Sequence, residues 1–128
     1  MEIAMDKTRG TGALLAIFLL GVMAWPATAA AGEMTWQVKS LYRHQVQIEF
    51  YSQDRKRAWP GGNRAYRLDD YEDHSFSLSC NTGENICYGA WVVGDAGTHW
   101  GVGMNDRRSC SDCCSDCDGD TYSVRLGR

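Results

Sequence analysis

After residue 31 the chain has little that favours helices. Lysine occurs there only at Lys39 and Lys56, alanine only at Ala58, Ala65, Ala90 and Ala96, and leucine only at Leu41, Leu68, Leu78 and Leu126. These are strong helix formers, and their scarcity argues against a helical bundle. No heptad, internal repeat or long amphipathic segment is present, which excludes coiled coils and solenoids. Positive charge is not in excess. The net charge is −3, and it stays there without the first 31 residues, because Lys7 and Arg9 cancel Glu2 and Asp6. A nucleic-acid partner, which would call for a basic surface, is therefore excluded.

The usual catalytic patterns are also missing. There is no His-x-x-x-His pair and no Gly-x-Ser-x-Gly elbow, so zinc-protease and serine-hydrolase chemistry have no motif to rest on. His44, His74 and His99 fall on three separate segments. Glu49 and Glu84 are candidates for a glycosidase-type acid and base, together with aspartates, but the sequence sets no working separation between them. A small secreted hydrolase is the third reading of the chain. No cofactor is implied.

What is present begins with an export signal. Ala13 to Trp25 is an uncharged apolar run, Lys7 and Arg9 precede it, and Ala27-Thr28-Ala29 and Ala29-Ala30-Ala31 follow as small-x-small sites. That order predicts a signal peptide over residues 1–31, cleaved after Ala29 or Ala31. The run is about 13 residues, whereas a membrane helix needs roughly 20, so no membrane span is expected after processing. A start at Met5 would make the leader net basic. The mature domain, residues 32–128, is then periplasmic or secreted.

Within that domain, alternation predicts strands. Trp36 and Val38 alternate with polar neighbours, as do Val46, Ile48 and Phe50; Tyr66 and Leu68; Phe76, Leu78 and Cys80; and Tyr122, Val124 and Leu126. Asn81 to Asn85 is a turn, with Gly83 as its left-handed residue. Ile86 to Val93 carries apolar groups on both sides and is expected to be a central strand. Gly94 to Thr98 turns the chain before a short strand His99–Gly103. About seven short strands with frequent turns predict an all-β fold, a small antiparallel sandwich or barrel.

All six cysteines lie between Cys80 and Cys117: Cys80 and Cys87 flank the turn, and Cys110, Cys113, Cys114 and Cys117 form a C-x-x-C-C-x-x-C run over 110–117. An exported chain with an even cysteine count predicts disulfides. A bond between adjacent Cys113 and Cys114 is disfavoured by geometry. Longer loops are worth more in the chain-entropy account, which favours linking the hairpin to the tail over pairing Cys80 with Cys87. The alternative is a zinc site at Cys110, Cys113, Cys114 and Cys117, in which the two knuckles lack the spacer that structural zinc sites normally have. Asp116-x-Asp118-Gly119-Asp120 starts like a calcium loop, but Thr121 and Gly127 stand where an EF-hand needs Gly and Glu, so a solvated turn is expected.

For binding, Trp59 lies in a Trp-Pro-Gly-Gly loop close to Arg55, Arg57, Arg64 and Arg67. An aromatic beside guanidinium groups suits a carbohydrate, an acidic polymer or a partner protein. The competing reading is that Trp59 closes the edge of the core. The phrase Cys80-x-x-Gly83-Glu84-x-Ile86-Cys87-Tyr88-Gly89-Ala90-Trp91, with Trp100-Gly101-x-Gly103 and the cysteine run, resembles small exported cysteine-rich bacterial proteins of unknown function. The resemblance covers about residues 46–117 and implies export, with no activity attached. The sequence thus predicts a disulfide-stabilised, non-catalytic binding or structural domain of the bacterial envelope or exterior.

Overall fold

A computed structural model describes residues 21, 23–25 and 30–127. The basic start, most of the apolar run, the small residues Ala27–Ala29 and the choice between Met1 and Met5 lie outside the described residues. No helix among the described residues is long and apolar enough to cross a membrane.

The described residues fold into nine strands: β1 Ala31–Ser40, β2 Val46–Ser52, β3 Ala58–Trp59, β4 Tyr66–Leu68, β5 Asp73–Asn81, β6 Asn85–Val92, β7 Asp95–Gly101, β8 Cys114–Asp116 and β9 Thr121–Leu126. They form two sheets. The smaller has the order β5-β1-β9; the larger runs β3-β2-β6-β7, with β4 also on β2 and β8 also on β6. The period-2 pattern places the core between them. Met34, Trp36 and Val38 of β1 and Leu78 of β5 meet Val46, Ile48 and Phe50 of β2 and Ile86 and Ala90 of β6. Trp36 is the aromatic centre, with ring centroids 5.5 Å from Phe50, 5.9 Å from Tyr88 and 5.6 Å from Tyr122.

The predicted all-β sandwich is thus the observed fold, with three differences in detail. β3 has only two residues and β8 falls inside the cysteine run, so neither shows as alternation in the sequence. β9 pairs with β1 in parallel, and the rest of the domain serves as the long crossover that such pairing requires. The turn expected over Gly94–Thr98 contracts to Val93–Gly94, with Gly94 at φ 83, so β7 begins at Asp95.

In the larger sheet each outer position is shared by two short strands. β4 and β3 occupy the same edge of β2, opposite Val46–Ile48 and Phe50–Tyr51 respectively. β7 and β8 occupy the same edge of β6. The chain between each pair, residues 60–65 and 102–113, leaves the sheet, and both excursions reach its outer face. β6 is central and covered on both sides, as its two-faced sequence predicts.

The disulfides fasten the second excursion. Cys80–Cys117 ties the end of β5 to the tail, Cys87–Cys114 joins directly opposed residues of β6 and β8, and Cys110–Cys113 closes a small loop. The first two are the hairpin-to-tail links expected from the sequence, and they close long loops worth ~4 kcal/mol each in the chain-entropy account. Cys80 and Cys117 belong to the main core, whereas Cys87 and Cys113 form a second small core with Tyr51 and Val102.

Candidate functional site

The two excursions leave a groove of about 870 Å3 between them on the outer face of the larger sheet. Its floor is made of outward residues: Gln47, Glu49 and Tyr51 of β2 and Trp91 of β6. One wall is Gly61–Ala65, where Gly61 and Arg64 bridge. The other is Met104 and Asn105, in a short helical turn Met104–Asp106. The Asn105 N–H donates to the Tyr51 hydroxyl at 2.9 Å, which fixes this wall to the floor. Gly89 lies opposite Glu49 on β6. A Cβ there would collide with the Gly103 carbonyl oxygen and stand 2.9 Å from Cε2 of Tyr51. Only glycine lets the second excursion lie this close to the sheet.

Glu49 is half-buried. Burial pushes its pKa up from the ordinary 4.5, and a hydrogen bond from Tyr51 partly offsets this. The Tyr51 phenol is pushed well above its ordinary value, first by burial and then by the Glu49 charge, so it stays protonated. Among the described residues lining the groove, Glu49 is the only carboxylate. The acid and base pair of a glycosidase is therefore not assembled here. The groove offers hydrogen-bond acceptors and donors and aromatic surface, which is the equipment of a binding site.

Glu84, the other sequence candidate, is buried in the β5–β6 turn and fully committed. Its Oε2 accepts from the Ser52 hydroxyl and from Arg55 Nε at 2.6 Å, and its Oε1 accepts from Arg55 Nη2 at 3.0 Å and the Asn81 N–H at 2.9 Å. Burial alone would raise its pKa; Arg55, then Ser52 and the Asn81 amide, outweigh that and bring it down to about 2. This is a structural joint. The Glu84 carbonyl also accepts from Cys117 N at 2.8 Å, and Gly83 N donates to the Cys117 carbonyl at 2.7 Å.

The structure divides the Trp59 cluster. Trp59 is 5% exposed and belongs to the core, and its Nε1 donates to the Ser79 carbonyl at 3.1 Å. Arg57 and Arg55 lie over its ring at 5.1 and 5.9 Å. The ring that was to stack on a ligand is thus occupied by its own arginines, and Trp59 closes the core edge. Arg64 stands instead in the groove wall, and Arg67 is exposed on β4 opposite Gln47.

The zinc alternative at Cys110, Cys113, Cys114 and Cys117 loses its ligands, because all four sulfurs are in disulfides and metal ligation needs thiolates. Among the described residues no cluster of His, Cys, Asp and Glu is suited to a metal ion. The aspartates of the calcium-like loop are engaged locally: Asp118 accepts from Tyr122 Oη at 2.6 Å and Asp120 N at 3.0 Å, and Asp116 from Asn85 Nδ2 at 3.0 Å. His44 meets Tyr42 edge to face, His74 pairs with Asp70 at 2.7 Å, and His99 lies opposite Trp91.

Sequence reasoning missed Gln47, Glu49, Tyr51 and Trp91 as a group. The available signal was the outward register of β2, Gln47-x-Glu49-x-Tyr51, next to a central strand carrying an outward tryptophan. No family model, curated protein or solved structure matches the chain.

Proposed function

We propose that this chain is an exported, disulfide-stabilised domain that binds a polar ligand in the groove on the outer face of its larger sheet, in the periplasm or outside the cell. The observation that carries this reading is the groove itself. Two excursions form its walls, a carboxylate, an amide and two aromatic rings form its floor, and no nucleophile is paired with a base there. A role in binding fits these residues better than catalysis. The pairing of all six cysteines supports an oxidising compartment, and the resemblance to small exported bacterial proteins agrees with it.

Two experiments test the proposal. In the first, a panel of small amines, saccharides and carboxylates is titrated into the 15N-labelled protein. Shifts clustered at Gln47, Glu49, Trp91 and Asn105 are expected; shifts confined to the Arg55–Trp59 surface, or none, refute the groove. In the second, the exported protein is sequenced from its N-terminus. Ala30 is expected first, because its carbonyl accepts from Thr82 N at 2.9 Å and Ala31 pairs with Asn81 in β1. Cleavage after Ala31 would remove both contacts, and an unprocessed chain in the cytoplasm would contradict export.

A further inference from the structure

Glu49 is the least compensated charge in the groove. Tyr51 is the hydrogen-bonding side chain next to it, and among the described residues no cationic side chain forms an ion pair with its carboxylate. Arg64, the only cation lining the groove among the described residues, stands in the wall. The Tyr51 hydroxyl accepts from the Asn105 N–H at 2.9 Å, which holds the phenol in place next to Glu49 on the same strand face. A carboxylate has roughly four lone-pair directions, which leaves most of the acceptor capacity of Glu49 unused. A half-buried charge without a counter-ion is unfavourable, and a charge-assisted hydrogen bond from a cation relieves it. The rings of Tyr51 and Trp91 line the same space, and aromatic faces attract cations at short range.

Building on the groove as the binding surface, we infer that its ligand presents a cationic head, an ammonium or guanidinium group, that docks on Glu49 between Tyr51 and Trp91. A neutral polyol could use Gln47 and Asn105 but would leave the Glu49 charge unpaired. An anion would meet that charge directly. The cationic head could come from a free amine or from a lysine or arginine side chain of a partner protein; the chemistry at Glu49 is the same.

The test is a set of titrations followed by NMR at the Trp91 indole and the Gln47 side-chain amide. The probes are n-butylammonium, n-butylguanidinium, N-acetyl-lysine methylamide, n-butanol and methyl glucoside. The cations are expected to give saturable shifts at both reporters, with n-butanol at least about tenfold weaker. Glu49→Gln, isosteric and neutral, is expected to weaken cation binding at least about tenfold with its amide spectrum otherwise retained. Arg64→Gln, which removes a like charge, is expected to strengthen it. Comparable binding of N-acetyl-lysine methylamide and n-butylammonium assigns the head to a protein side chain, and exclusion of the lysine derivative assigns it to a free amine. Either result supports the inference. Equal shifts from n-butanol, or unchanged binding in Glu49→Gln or Arg64→Gln, overturn it. Methyl glucoside moving the groove reporters while the cations do not would sink the cation site and leave the groove standing. No probe moving them would remove both.

Discussion

The Glu84 joint makes the sharpest energetic prediction. Glu84 is 4% exposed and accepts four hydrogen bonds from Ser52, Arg55 and Asn81. The Ser52 hydroxyl also accepts from the N–H groups of Asp54 and Arg55, at 3.2 Å each, so the joint organises the chain leaving β2. Its pKa falls from 4.5 to about 2 in the fold. At ~1.4 kcal/mol for each pH unit, that is ~3 kcal/mol of stability. The native pKa lies below the unfolded one. The contribution is therefore complete above the unfolded value and is lost as pH falls from about 4.5 towards 2. Glu84→Gln puts an NH2 group where two donors already point, whichever way the amide turns. Urea unfolding at pH 7 is expected to show a loss of ~3 kcal/mol, while the variant and the native protein converge in stability near pH 2. The Arg55→Met variant is expected to raise the Glu84 pKa, read by carboxyl NMR, because burial then meets less opposition. A loss under ~1 kcal/mol in Glu84→Gln, or acid limbs that run parallel down to pH 2, would refute this account of the joint.

Three further outcomes follow from packing. Trp59→Ala is expected to cost ~3–5 kcal/mol by thermal or urea unfolding, as a large buried aromatic does, while leaving ligand shifts at Gln47 and Trp91 in place; the reverse pattern would restore Trp59 as a contact residue. Gly89→Ala is expected to cost at least ~1–3 kcal/mol by urea unfolding, because the added methyl meets the Gly103 carbonyl and the Tyr51 ring; a neutral effect would mean that the excursion does not lie on the sheet. Replacing Cys80 and Cys117 together by alanine is expected to cost ~4 kcal/mol, against ~2 kcal/mol for Cys110 and Cys113, since the spans are 37 and 3 residues; a larger loss for the short loop would contradict that ordering.

The fold was legible where one face is wet and one is dry. Val46, Ile48 and Phe50 alternate with Gln47 and Glu49, and β2 forms as that pattern dictates. β6 was legible as central because Ile86 and Ala90 face one way and Cys87 and Trp91 the other. β3 and β8 were not, since β3 has only two residues and β8, Cys114-Ser115-Asp116, lies in the cysteine run with no apolar alternation. The parallel pairing of β9 with β1 was not either, because strand partners far apart in sequence leave no local mark. Trp59 was visible as an aromatic near arginines, but composition does not say whether a ring faces ligand or core; the Ser79 carbonyl and the guanidiniums of Arg55 and Arg57 decide it. The groove escaped for a related reason. Its walls come from residues 60–65 and 102–113, which converge only once both leave the same sheet.

The tail is tied to β5 and β6 by Cys80–Cys117 and Cys87–Cys114, and the excursion that precedes these bonds forms one wall of the groove. Peptide mapping of the exported protein, digested without reduction after alkylation of free thiols, tests this most directly. The predicted result is three bonds, Cys80–Cys117, Cys87–Cys114 and Cys110–Cys113, with no alkylated cysteine. A Cys80–Cys87 bond, or four free thiols in the 110–117 run that bound zinc protects from alkylation, would contradict it.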